Sequence, residues 1–194
     1  MRLFVAVDPG AEVIAGVERA MAALRPKAPD AKWVTVESLH VTLAFLGERD
    51  PADAAEIGAA LSRVAAGRAP FDLRFRGGGV FGRAQRPRVL WAGCEGDAGA
   101  LDALQRDVGS ALAPLGYRPD RGSFSAHLTL ARARAPSGDG RLTECIRLLE
   151  GVELGAARIE ELRLYESQLL PEGPRYLVVS GARLAGRGAD VGRV

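Results

Sequence analysis

The chain lacks the sequence features of disulfide scaffolds, zinc sites and membrane spans. Its 194 residues include two cysteines, Cys94 and Cys145, which lie far apart and form no Cys-x-x-Cys pair. This usage argues against a disulfide framework and a zinc site, and favours a reducing compartment where both thiols are small buried residues. The apolar run at residues 3–7 ends at Asp8 and is too short for a signal peptide or membrane span. We therefore expect a cytoplasmic protein without membrane contact.

A large excess of charge of one sign is also absent. The chain has 26 Lys and Arg against 24 Asp and Glu, a net charge of +2. This balance argues against a broad basic surface of the kind that coats duplex nucleic acid, so any recognition of nucleic acid should be local. We expect any RNA terminus or nucleotide to bind in a small pocket with modest help from five arginines: Arg74, Arg76, Arg83, Arg86 and Arg88. For any one of them, solubilising surface charge is the more economical explanation.

Histidine is scarce, and both copies are used in the same way. The chain contains His40-Val41-Thr42-Leu43-Ala44 and His127-Leu128-Thr129-Leu130-Ala131, and no other histidine. Ordinary residue usage would match Thr, Leu and Ala at these three offsets about once in a thousand tries. The two phrases begin 127 − 40 = 87 residues apart, one in each half of the chain. An internal duplication explains this arrangement better than coincidence.

Each phrase is typical of a β-strand with alternating faces. On such a strand His40 and Thr42 share one face, roughly 7 Å apart, while the intervening apolar residues point to the other. Phe45 either lines the same cleft or packs beneath it, and alternation favours packing. Two strands of this kind, facing each other, would present two imidazoles and two hydroxyls to a shared cleft.

Such a cleft suits phosphodiester cleavage without a metal. Imidazole has a pKa of about 6.5, so near neutral pH one histidine can take a proton while the other gives one. Threonine hydroxyls can hold the phosphate oxygens on which negative charge grows. A single histidine beside threonine is more often structural, but the identical use of the only two histidines favours catalysis.

The surrounding residues resemble the 2H phosphoesterase superfamily, specifically its RNA 2′,3′-cyclic phosphodiesterases, historically called 2′-5′ RNA ligases. The resemblance runs almost end to end and rests on two His-x-Thr motifs in their setting, residues 3–7, 33–34, 40–47, 79–81, 87–91, 124, 129–132, 165–167 and 173–176. It implies an α+β protein of two pseudo-symmetric lobes, each an antiparallel sheet backed by helices, flanking a central cleft. We expect residues 1–185 to form one bilobal domain by internal duplication, with one motif per lobe. Residues 186–194, rich in Gly, Ala and Arg, should form a disordered tail.

The resemblance also implies roles for individual residues. His40 would be the general acid that protonates the departing 3′ oxygen, and His127 the base that activates water, which leaves a 2′-phosphomonoester. Thr42 and Thr129 would bind the phosphate, and Arg132 would add a fixed positive charge that suits two-pronged phosphate binding. Strict alternation places Arg132 on the core face, so a bulge or strand end must redirect it.

The implied substrates are RNA 3′ ends or nucleotides that carry a 2′,3′-cyclic phosphate, with no cofactor and no metal. Ligation that forms a 2′-5′ bond is expected as an in vitro activity. Two alternatives stay open: a phosphodiesterase for another small cyclic phosphate, such as a nucleoside or ADP-ribose derivative, and a non-catalytic RNA or nucleotide binder. We expect a monomer.

Hydrophobic periodicity and turn residues predict the order of elements. Helices are expected from Asp8-Pro9 to about Leu24, from Asp50-Pro51 to about Val64, over 97–115 with Gly116 as its end, and near 140–149. Strands outside the motifs are expected near 2–7, 70–76, 87–93, 157–166 and 175–183. The run Gly77-Gly78-Gly79 lacks the Lys-Ser or Lys-Thr of a phosphate-binding P-loop, so a turn or flexible rim is predicted there.

Overall fold

The protein is built from nine β-strands and four α-helices in the part of the chain that the structure describes. A computed structural model describes residues 1–119, 124–171 and 173–186. The strands are β1 (Arg2–Val7), β2 (Lys32–Trp33), β3 (Val41–Glu48), β4 (Phe71–Arg83), β5 (Arg86–Gly96), β6 (His127–Arg132), β7 (Glu153–Ile159), β8 (Glu161–Leu170) and β9 (Gly173–Arg183). The helices are α1 (Gly10–Leu24), α2 (Asp53–Ala66), α3 (Ala98–Leu112) and α4 (Arg141–Leu149). None of the described helices is long and apolar enough to cross a membrane.

The strands form a curled antiparallel sheet of two halves. Its order is β7-β4-β5-β6-β3-β1-β8-β9, with β2 added beside β6. The first lobe consists of β3, β1, β8 and β9, and the second lobe of β6, β5, β4 and β7. The lobes meet where β3 pairs with β6, through Val41 opposite Leu128. This arrangement confirms the predicted α+β class with two lobes, each an antiparallel sheet backed by helices, and it places the two motif strands side by side at the centre.

Each lobe is covered by two helices whose apolar faces are buried. Helices α2 and α3 cover the first lobe, where α2 contacts β8 and β9 and α3 contacts β3; helices α1 and α4 cover the second. The predicted apolar stripe of α1 is buried at Val13, Val17, Met21 and Leu24. Helices α1 and α3 follow strands of one lobe and pack on the other, so the chain passes back and forth between the lobes.

Two predictions about the strands are wrong. The strand predicted over 157–166 is two strands, because the chain leaves β4 of the second lobe at Ile159 and joins β1 of the first lobe beyond Glu160. Ile159 and Leu162 are both buried at an odd spacing, which is the sequence sign of that break.

The run Gly77-Gly78-Gly79 is not a turn but part of β4. Gly77 has φ +60 at a bulge in the pairing with β5. A Cβ on Gly78 would lie 2.3 Å from the Trp91 carbonyl oxygen, and one on Gly79 would lie 2.5 Å from the Trp91 ring. These glycines are therefore required because Trp91 occupies the space that side chains would take.

Phe45 also departs from the favoured prediction. The pairing of β3 with β1 has two irregularities, and Leu43 and Ala44 are both buried, so the alternation reverses along the strand. Phe45 is consequently 45% exposed and lies in the cleft rather than beneath it. Of the predicted tail, Gly186 donates its backbone N–H to the Arg68 carbonyl. Residues 187–194 lie outside the described residues.

Candidate active site

A cleft of about 940 Å³ lies between the lobes and receives side chains from both motif strands. It is lined by all five residues that the sequence singles out: His40, Thr42, His127, Thr129 and Arg132. They come together because β3 and β6 are neighbours in the sheet and present the same face. Two imidazoles, two hydroxyls and a guanidinium thus share one concave site.

Both histidines are anchored by the same backbone contact. The Nδ1 atom of His40 lies 2.7 Å from the Ser38 carbonyl oxygen, and the Nδ1 atom of His127 lies 2.7 Å from the Ser125 carbonyl oxygen. A carbonyl oxygen only accepts, so Nδ1 carries the hydrogen in each ring. This contact fixes the ring orientation and leaves Nε2 as the atom that gives or takes a proton.

An aromatic cluster with a polar end surrounds His40. The ring lies 4.7 Å from Phe4 and 5.1 Å from Tyr176, centroid to centroid, and Phe4 stacks on Tyr165 at 5.1 Å. The Tyr165 hydroxyl donates to Asp8 Oδ1 at 2.5 Å. Burial and this contact raise the pKa of Tyr165 to about 12, so the phenol stays protonated at neutral pH.

Asp8 is held in place from a second direction. Arg163 donates to Asp8 Oδ2 and, at 2.6 Å, to Glu161, so the Asp8 side chain is paired with a cation. The first lobe therefore places a fixed negative charge behind the aromatic cluster of His40.

The ring of His127 has a different, apolar setting. It meets Phe81 edge-on at 4.8 Å and lies 6.3 Å from Trp91. Within the described chain, Trp91 Nε1 is buried with no hydrogen-bond partner. The His127 ring is therefore held by packing against Phe81 and Trp91, and Trp91 in turn packs on the glycines of β4. Neither ring carries a charge.

Electrostatics distinguish the two imidazoles. Burial lowers the pKa of His40, the Ser38 carbonyl and the charge of Asp8 oppose it, and the positive charges of His127 and Arg132 lower it further. The pKa of His127 is likewise lowered by burial and by Arg132, with only the Ser125 carbonyl opposing among the described groups. Of the two rings, His40 is thus the one with a carboxylate that favours its protonated form.

Arg132 reaches the cleft by means of a bulge of the kind that the sequence required. In the pairing of β5 with β6, Trp91 lies opposite Thr129 and Leu90 opposite Ala131, so Leu130 is an extra residue. Leu130 and Ala131 are both buried, and the side chain that follows turns outward. The positive charge of Arg132 acts to lower the pKa of both histidines and of Tyr176, so the guanidinium lies within electrostatic range of all three rings.

Several residues of the site were not found from the sequence. Asp8 was interpreted only as a helix start, and Trp91 and Phe81 only as parts of the resemblance. Phe81 and Trp91 contact His127 from strands that the sheet brings together, and Asp8 acts on His40 through its charge. No local pattern encodes such pairs. Ser167 and Tyr176 line the cleft, whereas Tyr165 packs behind it. None of the five arginines from 74 to 88 belongs to the described lining, and Arg76 pairs with Glu153 at 3.1 Å. No group of three or more metal-ligating side chains occurs among the described residues.

Comparison with known proteins finds one family over most of the chain. The model of the family described as LigT like phosphoesterase matches twice, at residues 7–91 and 94–176. A protein of Aeropyrum pernix named RNA 2′,3′-cyclic phosphodiesterase is 36% identical over 157 residues, 81% of this chain and 88% of that protein. One of the same name from Methanothermobacter thermautotrophicus is 34% identical over 184 residues, 95% of this chain and 99% of that protein.

A solved structure shares the fold over nearly the whole chain. The crystal structure of TT0787 of Thermus thermophilus superposes with a TM-score of 0.82 and 33% identity, covering 97% of this chain and all of that one (100%).

Proposed function

Because the chain belongs to the LigT-like phosphoesterase family, we propose that it hydrolyses 2′,3′-cyclic phosphate ends of RNA to 2′-phosphomonoesters. The observation that carries this proposal is the pair of His–Thr motifs that line one cleft with identical Nδ1 anchors. The relatives named RNA 2′,3′-cyclic phosphodiesterase support the choice of substrate.

The proposed reaction uses the two histidines in opposite directions. Nε2 of His127 takes a proton from water as the water oxygen forms a bond to phosphorus. Nε2 of His40, protonated beforehand, gives its proton to the 3′ oxygen as the bond from phosphorus to that oxygen breaks. One proton enters His127 and one leaves His40, so the pair returns to its starting state by exchanging a proton with solvent. Each proton transfer of this kind contributes about 10²- to 10⁴-fold in rate.

The unequal surroundings of the two rings support the proposed acid and base roles. A general acid must be protonated before the reaction, and the charge of Asp8 favours the protonated form of His40. A general base must be neutral, and His127 has burial and Arg132 acting against its protonation. These two environments support the assignment that the family resemblance implies.

The remaining three residues bind the phosphate in this proposal. The hydroxyls of Thr42 and Thr129 donate to the non-bridging oxygens, where charge accumulates as the water attacks. Arg132 adds a permanent positive charge that stabilises the same oxygens. All of these groups are supplied by the chain, and the proposed reaction needs neither a metal nor a cofactor.

We also propose that residues 1–185 form one bilobal domain that arose by duplication. The two matches to one family model, over 7–91 and 94–176, support it. A monomeric state, a cytoplasmic location and 2′-5′ ligation in vitro stay predictions.

The function is tested with an RNA oligonucleotide that ends in a 2′,3′-cyclic phosphate. We expect a 2′-phosphomonoester product, unchanged turnover in the presence of a chelator, and a bell-shaped pH profile. Equal or faster turnover of small cyclic phosphates, including ADP-ribose derivatives, would favour the alternative substrate. Binding of RNA without any turnover would favour the non-catalytic binder, and a strict requirement for a divalent metal would contradict the mechanism.

A further inference from the structure

The cleft is lined by more cationic side chains than a single cyclic phosphate needs as binding partners. Its described lining includes four cationic side chains, Arg2, Lys32, Arg132 and Arg175, and one carboxylate, Glu37. Arg132 serves the reacting phosphate in the proposed reaction. Three cations are therefore left for other parts of a substrate.

Although the Arg2 guanidinium lies 4.9 Å from the centroid of the Phe45 ring, none of these cations is paired with a carboxylate in the described chain. The ion pairs found there use other basic groups, and none of the four cleft cations has a carboxylate oxygen within 4.0 Å: the paired groups are the N-terminus, Arg68, Arg76, Arg141, Arg158 and Arg163. Lys32 even lies directly opposite Arg132 in the pairing of β2 with β6. Like charges in that position destabilise a sheet, so the arrangement is best explained by negative charge that a substrate brings to each of the two cations.

Lys32 and Arg175 come from different lobes, and both line the cleft. Lys32 extends from β2 of the second lobe, and a Cβ built on Gly173 of β9 would lie 4.0 Å from its Nζ atom. Arg175 follows two residues later on the same face of β9, roughly 7 Å further along the strand. The rim formed by Lys32 and Arg175 thus has positive charge on both sides of the opening.

We propose that this rim is a second phosphate subsite, which binds the phosphate on the 5′ oxygen of the terminal nucleotide. In RNA that group is the phosphodiester that joins the cyclic end to the preceding nucleotide, so the rim selects an RNA end over a free mononucleotide. The inference rests on the proposed function. The cleft of about 940 Å³ is near the upper end of the range of about 300–1,000 Å³ for ligand pockets, which leaves room for more than one nucleotide.

The experiment compares three substrates that differ only on the 5′ side: a nucleoside 2′,3′-cyclic phosphate, the same compound with a 5′-phosphate, and a dinucleotide with a 2′,3′-cyclic end. Each is assayed with the wild-type protein, Lys32→Gln and Arg175→Gln. We expect wild-type kcat/KM to be lowest for the first compound. Each variant should lose about 3- to 10-fold in kcat/KM for the two compounds with a 5′ phosphate, mainly through KM, and little for the first.

Matched controls separate a local contact from a change in net charge. Lys27→Gln removes the same charge at an exposed position five residues away, and Arg183→Gln does so on β9 itself, far from the rim. Neither should change the ranking of the substrates. For the dinucleotide, the slope of log KM against log salt should fall by about 0.7 in Lys32→Gln, since one phosphate contact is lost.

The outcomes separate this inference from the function on which it rests. A gain from the 5′-phosphate equal to that from the dinucleotide shows that the phosphate alone is recognised, and a gain confined to the dinucleotide shows recognition of the diester. Equal kcat/KM for all three compounds, or equal losses in variants and controls, overturns the subsite. If no compound is hydrolysed, the proposed function fails, and calorimetric binding of a dinucleotide 3′-phosphate to wild type, Lys32→Gln and Lys27→Gln still tests the rim. Equal affinity in the three proteins would then overturn it.

Discussion

The two lobes present the same motif but support it differently. In both, a carbonyl two residues before the histidine holds Nδ1 at 2.7 Å. Behind His40 lie Phe4, Tyr165 and the carboxylate of Asp8, whereas behind His127 lie Phe81 and Trp91, whose indole nitrogen has no hydrogen-bond partner in the described chain. The difference teaches that two lobes can hold a histidine ring in the same orientation while the layers behind the two rings differ in chemistry. Of the two layers, only the one behind His40 supplies, among the described groups, a carboxylate whose charge raises the pKa of its histidine.

The largest expected effect comes from removing either ring. His40→Ala and His127→Ala should each lower turnover by at least about 10²-fold with little change in binding, because each removes one proton transfer. Steady-state kinetics and binding of the 2′-phosphate product measure the two quantities separately.

A sulfur-containing substrate sharpens this comparison of the lobes. If the 3′ oxygen of the cyclic phosphate is replaced by sulfur, the leaving group is a thiolate, which departs without a general acid because thiols have a pKa of only about 8.5. His40→Ala should recover most of its lost rate on this substrate and His127→Ala should not. Equal losses of both variants on both substrates would contradict the assigned roles.

The next effect concerns the support of the second lobe. Gly79→Ala places a Cβ 2.5 Å from the Trp91 ring, so we expect a loss of about 1–3 kcal/mol in the free energy of unfolding, measured by urea denaturation. Gly99→Ala in α3 is the matched control, since its Cβ would have Asp97 Oδ1 at 4.0 Å as its nearest described neighbour. That substitution should stabilise by a few tenths of a kcal/mol up to about 1 kcal/mol. A neutral Gly79→Ala would show that Trp91 is not tightly confined.

A smaller effect should appear in the first lobe when its carboxylate is neutralised. Asp8 raises the pKa of His40, so Asp8→Asn should lower that pKa. The general acid then loses its proton at a lower pH, and the alkaline limb of the kcat/KM profile should move to lower pH while the acidic limb stays in place. Tyr165→Phe keeps the charge and the ring and should leave the alkaline limb unchanged. If the acidic limb moved in Asp8→Asn instead, the carboxylate would act on the pKa of the general base and not on that of His40, which would contradict this prediction.

The smallest effect is on stability and involves both lobes. Burial lowers the pKa of each histidine in the folded state, so the unfolded chain binds more protons once the pH falls through about 6.5. The contribution of each ring to stability is therefore complete above that value and is lost on acidification. Urea midpoints at pH 7.5 and 5.5 should differ less in His40→Gln or His127→Gln than in wild type. The two single variants show how much of the pH dependence of the urea midpoint comes from the histidine of each lobe. If both variants kept the wild-type pH dependence, the histidines would not be its source.

Much of the architecture follows from local patterns, whereas the second layer of the site does not. The buried stripe of α1 and the left-handed Gly116, which ends the 3-10 turn directly after α3, are predictable because periodicity and a left-handed glycine are local properties. The break at Glu160 and the reversal at Phe45 were missed because each depends on which strand lies alongside. The motifs identify the histidines, but Asp8 reaches His40 only through a sheet that brings β1 and β8 together. The assigned roles of the five site residues stay predictions.

The seam between the lobes has a mechanical consequence. β3 and β6 are paired at Val41 and Leu128, each immediately after a motif histidine. Any rotation of one lobe about that pair, here called the pin, would move the residues beside the pin least and those of the outer strands most. Both imidazoles sit next to the pin and Arg175 sits toward the edge, so the mouth could widen to admit a chain end while the gap between the rings hardly changes.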